Sequence, residues 1–445
     1  LDESVELGQQ LGLWMVLPFA LMLLAVAILP LAAGHWFERN RNKGIVAAVL
    51  GIPTVIYLVA VFGHLGLERA AETGEEYVSF IVLLFALFTI SGGIYLTGNL
   101  LATPRTNLTF LAVGAILASF IGTMGASMVL IRPLLRANSE RRYSVHTIVF
   151  FIFAVSNVGG LLTPLGDPPL FLGFLRGVPF GWTLGLWREW LLSVGLVLCA
   201  YLALEYHYFR KEPAPARRMD LADYVPMRIK GVINLGLLAL VIVTIIFSGW
   251  LAELGEAISF PFVREVVLVI LAIVSYKLGP RGPRASNHFS WSPIVEVAVL
   301  FAGIFATMIP ALALLEAKGA SIGVAQPWHY YWATGGLSSF LDNAPTYLVF
   351  TSLAQGQVGV STVGALTSTQ VVAGLGVAPA QLLAAISCGA VMMGAMTYIG
   401  NAPNFAVKAI AENSGLKMPS FFGYMGYSLA VLGPIFLIVT VAFFL

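Results

Sequence analysis

The chain has 445 residues, 58% of them hydrophobic and only 10% charged, with a mean hydropathy of +0.88. That composition excludes a soluble core of this length and reads as a polytopic helical membrane protein. The net charge of +2 says little about partners, because in such a chain the positions of Lys and Arg relative to the spans carry the information.

Residues 11–33 form a first expected span, followed by Arg39, Arg41 and Lys43, which mark a cytoplasmic loop and put the N-terminus outside. Residues 44–63 return outward to an acidic loop (Glu68, Glu72, Glu75, Glu76), and 78–96 come back in. The apolar run of about 108–135 is interrupted at 122–127 and has Arg105 before it and Arg132, Arg136, Arg141 and Arg142 at its far end. Both ends favour the cytoplasm, so this run is expected to be a re-entrant hairpin. A broken helix follows at about 146–172, and 182–207 return to the interior. Residues 208–230, with Arg210, Lys211, Arg217, Arg218, Arg228 and Lys230, read as a cytoplasmic linker between the halves 1–207 and 231–445. In the second half 231–250 go out to Glu253 and Glu256, 263–278 come in, and 295–314 go out. A second interrupted run, about 328–351, enters from outside, a second broken helix spans about 382–410, and 421–445 exit. This threading puts 19 of the 24 Lys and Arg residues on the cytoplasmic side, although charge was not used to choose the apolar runs. Each half then has five spans and one hairpin. Because five is odd, the second half is inserted upside down, as an inverted-topology repeat.

The breaks carry the chemistry. Residues 156–170 hold three Pro, three Gly and an Asp between apolar runs and cannot be regular helix. At a constant offset of 234, Gly160 pairs with Gly394, Thr163 with Thr397, Gly166 with Gly400, Asp167 with Asn401 and Pro169 with Pro403. Residues 119–121 and 339–341 match at an offset of 220. Backbone groups freed at membrane depth need protein or a wet cavity around them, and such places hold ions in transporters. Two sites are expected. The first joins hairpin one (Thr123, Ser127) to the first break (Asn157, Thr163, Asp167). The second joins hairpin two (Asp342, Asn343, Thr346) to the second break (Thr397, Asn401, Asn404). Each has one carboxylate among hydroxyls, amides and freed carbonyls, the oxygen ligands that a hard cation such as sodium or lithium takes. A lone carboxylate in a low dielectric can also hold a proton when the cation is absent, so competition between the two gives exchange.

Blander readings stand beside these. Asp342 and Asp167 are also candidate helix caps, and Ser156 and Asn157 candidate helix–helix glue. Glu296, an auxiliary candidate, is equally suited to pairing with a basic neighbour. The six histidines share no metal-ligand spacing, and Cys199 and Cys388 read as buried small side chains. There is no Walker loop, so ATP, nucleic acid and resident cofactors are not expected partners. The acidic opening shows no cleavable signal.

The stretches 156–160, 163–169 and 400–404 resemble the ion transporter superfamily, which includes NhaD-type sodium/proton antiporters, citrate and dicarboxylate transporters and arsenite permeases. The similarity spans nearly the whole chain and is strongest to the branch of sodium/proton antiporters and citrate transporters. It implies a homodimer, each protomer with a scaffold and a mobile transport part holding the hairpins; the chain is expected to be a non-enzymatic protein of a bacterial inner membrane, and the threading puts both termini outside. The resemblance also implies sodium sites at the hairpin tips and adjacent breaks. Dicarboxylate members carry Ser-Asn-Thr at both tips, whereas here the tips read Gly122-Thr123-Met124 and Asp342-Asn343-Ala344. An Asp at a tip repels a carboxylate, which favours sodium or lithium exchange for protons over citrate uptake and over efflux of a neutral species such as arsenite.

Overall fold

A computed structural model describes residues 3–213 and 224–445. The first half consists of α1 (Glu3–Gln10), α2 (Leu17–Ala32), α3 (Gly34–Phe37), α4 (Asn40–Phe62), α5 (His64–Ser91), β1 (Tyr95–Asn99), α6 (Pro104–Ile121), α7 (Thr123–Ala137), α8 (Val145–Ala154), α9 (Pro168–Leu175) and α10 (Trp187–Lys211). After the linker come β2 (Val225–Lys230), α11 (Ile233–Ile246), α12 (Ser248–Ala257), α13 (Val263–Leu278), α14 (Arg281–Ser286) and α15 (Ser292–Lys318). The chain ends with α16 (Pro327–Ser338), α17 (Asn343–Val358), α18 (Pro379–Met393), α19 (Ala402–Asn413) and α20 (Phe421–Val439). Among the described residues nine helices are long and apolar enough to cross a membrane, and the α11–α12 pair, bent by 66°, makes a tenth candidate. The chain is an all-α polytopic membrane protein.

The helices sort into two groups by the helices they pack against. In the outer group, α2, α4 and α5 pack with α11 to α15. Here α4 lies against α15 through small residues: a Cβ on Gly303 would lie 2.7 Å from Ala47 Cβ, and one on Gly51 would lie 3.0 Å from Ala306 Cβ. Without a hydrophobic force between helices in lipid, this close backbone approach supplies the packing energy. The inner group, α6 to α10 with α16 to α20, holds the two most enclosed windows, Val145–Leu162 at 89% buried and Pro379–Met396 at 78%, against 22% for Asn40–Phe62, where Ile45, Val49, Ile52 and Ile56 face outward. The seam between the groups runs along α5 and α15. Across its middle lies an aromatic layer in which Phe80 stacks on Phe301 at 4.9 Å and Tyr77 meets Phe305 at 5.7 Å.

Several expectations change. The acidic stretch Glu68 to Glu76 is not a loop but the first turns of the 28-residue α5, where Arg69 pairs with Glu72 at 2.8 Å. A pair three residues apart supports the helix, so the charges extend it instead of ending it. The inward span stops at Ser91, and Tyr95–Asn99 forms a strand paired antiparallel with Val225–Lys230, so the end of the linker is tied to the entry of hairpin one. Arg217 and Arg218 lie outside the described residues. The predicted span 231–250 bends after Ile246, and Glu253 and Glu256 belong to α12. Cys388 is buried, but Cys199 is exposed on α10, which corrects the reading of both as buried.

Candidate functional site

The first break begins where α8 ends at Ala154. The chain makes a tight turn at Val158–Leu162, is extended at Thr163 (φ −138, ψ 159) and Asp167 (φ −147, ψ 146), and re-enters helix at Pro168. Proline at the start of α9 costs no hydrogen bond, because that N–H would have no helical partner. At the second break Thr397 (φ −134, ψ 166) and Asn401 (φ −154, ψ 139) take nearly the same conformation before α19. The side chains repeat it too: Thr163 Oγ1 donates to the Ser119 carbonyl and Thr397 Oγ1 to the Ser339 carbonyl. Each hydroxyl thereby satisfies a carbonyl at the end of the first arm of a hairpin. The glycines allow each break to fold on itself: a Cβ on Gly166 would lie 2.0 Å from the Gly160 carbonyl oxygen, and one on Gly400 would lie 2.6 Å from that of Gly394.

The two expected sites are joined into one. Asp167 is 2% exposed. Its Oδ1 accepts from Thr123 Oγ1 at 2.7 Å and from Asn401 Nδ2 at 3.2 Å, and its Oδ2 accepts from Asn343 Nδ2. These donors come from hairpin one, the second break and hairpin two. Although Asp167 directly precedes α9, its side chain makes no capping bond. Asn157 continues the network, donating to Asn404 Oδ1 at 2.7 Å and to the Ile152 carbonyl at 2.8 Å while its Oδ1 accepts from Asn401 at 3.3 Å. Asn404 donates to the carbonyls of Gly394 and Thr397 at 2.8 and 2.9 Å. Ser127 and Ser156 bond at 2.8 Å, which ties α7 to the first break. Asn157, Asn401 and Asn404 thus link backbone freed by the breaks to one carboxylate, which Asn343 bonds from hairpin two.

Asp342 caps α17, accepting the Ala344 N–H at 3.3 Å, and Thr346 Oγ1 donates to the Asp342 carbonyl at 3.0 Å. Asp342 is also open to the site, because with Thr123, Asp167, Asn401, Leu87 and Phe301 it lines a cavity of about 90 Å³. That volume accommodates a few waters. Among the described residues no Lys or Arg lines it. Asn343 is fully buried, and its Oδ1 has no hydrogen-bond partner among the described residues. Glu296 lies apart, paired with Lys43 at 2.6 Å across α4 and α15.

Arg176, which the sequence reading did not single out, caps α9 and pairs with Glu76 of α5 at 3.0 Å across the seam. It lines a second cavity of about 530 Å³ with Glu72, Glu316 and Gln355. Along α5 and α15 the two cavities lie on opposite sides of the Phe80–Phe301–Phe305 layer. The available signal for Arg176 was a lone cation directly after the apolar run that follows the first break.

A bundle of apolar helices, interrupted at polar breaks that meet around a buried carboxylate, is the arrangement of a membrane transport protein. The chain belongs to the family described as "Putative citrate transport", whose model matches residues 8–444, nearly the whole length, and it is a secondary transporter of that type. No curated protein matches it.

Proposed function

We propose that the protein exchanges sodium or lithium for protons, with cation and proton competing for Asp167 and Asp342. The observation that carries this reading is the environment of Asp167, a buried carboxylate held by Thr123, Asn343 and Asn401 with no basic side chain lining its cavity. Neutral donors orient such a group but do not balance its charge, so it takes a proton or a cation. The unpaired Oδ1 of Asn343 is a ready oxygen ligand beside it. In the same proposal the halves are an inverted repeat, α6–α7 and α16–α17 are re-entrant hairpins, and the inner group of helices moves against the outer group. The Arg176–Glu76 pair and the aromatic layer then separate the site from the far side in this conformation. A homodimer in a bacterial inner membrane, both termini outside, completes the expectation.

A second reading is sodium-coupled uptake of citrate or another organic anion. The family description favours it, and so does the convergence on the site of the N-termini of α7, α17 and α19, which favour negative charge. Proton flux in proteoliposomes with a trapped pH dye separates the two, with sodium, lithium, potassium and citrate added in turn to wild type and Asp342→Asn. Sodium or lithium alone should move protons in wild type and not in the variant. A signal that requires citrate together with sodium makes the protein an anion symporter and rejects exchange.

A further inference from the structure

Lys277, Arg281 and Arg284 cluster at the end of the span 263–278, and the proposed transport site does not use them. In the structure α14 folds back against the end of α13, so that Tyr276, Lys277, Arg281, Arg284, His288 and Phe289 line a cavity of about 660 Å³. Among the described residues no Asp or Glu lines it. Lys277, Arg281 and His288 are exposed, whereas Arg284 is only 8% exposed. Arg284 Nη2 donates to Ser275 Oγ at 2.6 Å and to the Thr89 carbonyl at 3.2 Å. Its Nε and Nη1 have no acceptor among the described residues. Burial pulls this guanidinium below its ordinary pKa, opposed only by the Tyr276 phenol, whose ring centre lies 5.5 Å from Cζ.

A buried guanidinium with N–H groups left over is costly unless an anion completes it. Its planar fork suits an acceptor that offers two or more oxygens, as a phosphate does. Free phosphate and a phospholipid headgroup share that chemistry, and the neighbouring surface favours the lipid. On α13, Val266, Ile270 and Ile273 face outward at helical spacing, and the strip runs on to exposed Tyr276 and Leu278 at the lip of the cavity. A free anion gains nothing from such a strip, whereas an acyl chain is matched to it.

We propose that this pocket binds the phosphate of an anionic phospholipid, with Lys277, Arg281 and Arg284 around the headgroup and the acyl chains along α13. The bound lipid would also brace the entry to hairpin one. Arg284 holds the end of α5 at Thr89, and Asn287 donates to the carbonyls of Gly92 and Ile94, at 3.0 and 2.7 Å, immediately before β1.

The test is native mass spectrometry of the full chain in detergent after incubation with phosphatidylglycerol, phosphatidylcholine or inorganic phosphate. Wild type should retain phosphatidylglycerol in preference to phosphatidylcholine, and millimolar phosphate should not displace it. The exposed pair change Lys277→Gln with Arg281→Gln should weaken retention about thirtyfold, the combined effect of two basic residues near an anionic headgroup. Arg284→Lys should also lower retention, because it keeps the charge and loses the fork; an unchanged elution profile checks that each variant is folded. Equal retention of the two lipids overturns the proposal, as does a double variant that holds phosphatidylglycerol like wild type. Displacement by inorganic phosphate overturns the lipid assignment in favour of a free-anion site.

Discussion

At the first break the chain passes through Thr163 and Asp167, and at the second through Thr397 and Asn401, in nearly the same backbone conformation and with the same hydroxyl bond to a hairpin carbonyl. The skeletons repeat, but the charges do not. Asp167 and Asn401 occupy equivalent positions, and they bond to each other instead of serving separate sites. The second break therefore supplies a donor to the carboxylate of the first, and hairpin two does the same through Asn343. The backbone of the two breaks is alike, and their side chains differ, so that of the two breaks only the first brings a carboxylate to the polar centre.

Removing that charge should have the largest effect. Asp167→Asn is expected to reduce sodium-driven proton movement in proteoliposomes to the level of empty vesicles, and substantial residual exchange would show that the charge asymmetry between the breaks is not functional. The reciprocal change Asn401→Asp, which puts like charges against each other, should also stop exchange and weaken folding. Next in size is glycine packing. Gly166→Ala should cost more stability than Gly400→Ala, since the added carbon meets a carbonyl oxygen at 2.0 Å in one case and 2.6 Å in the other. Thermal unfolding in detergent measures the order, and a reversed order would mean that the first break relaxes more easily than the second.

The recurrence of Gly, Thr and Pro at a fixed offset made the breaks and the helical class legible before any coordinates, because only interrupted helices need that composition in a membrane. The joining of the two expected sites into one was not legible, because the bond from Asn343 to Asp167 joins residues 176 positions apart and no local pattern encodes it. Sequence left two roles open for each Asp. The structure gives Asp342 a cap bond and Asp167 none, and this separates two residues that composition treated alike. Glu68 to Glu76 misled because charge usually ends a span, whereas here partners on the same helix and on the α9 side hold the charged turns in place.

Smaller effects sharpen the comparison further. Asp342→Asn keeps an oxygen able to cap α17, so its loss of sodium-driven proton movement should come with only a small change in thermal unfolding. Thr163→Val and Thr397→Val each leave a hairpin carbonyl without its donor and should destabilise by similar amounts, about 1 to 3 kcal/mol. Unequal losses in thermal unfolding would mean that the two skeletons are not energetically alike. Glu76→Gln should have the mildest effect, retaining transport while raising accessibility to a water-soluble reagent at a cysteine placed at Thr73, beside the Arg176 cavity.

The presence of two acids around one small cavity has an electrical consequence. A carrier that trades one sodium ion for one proton moves no net charge, and the membrane voltage does no work on it. If two protons return for each sodium ion, one charge crosses per cycle, and every 100 mV contributes about 2.3 kcal/mol to the gradient the exchange can sustain. Under the proposed exchange, Asp167 and Asp342 would provide a seat for each of those two protons. Whether both are filled on the return leg sets how far the cell's voltage, and not only its acidity, drives the cation.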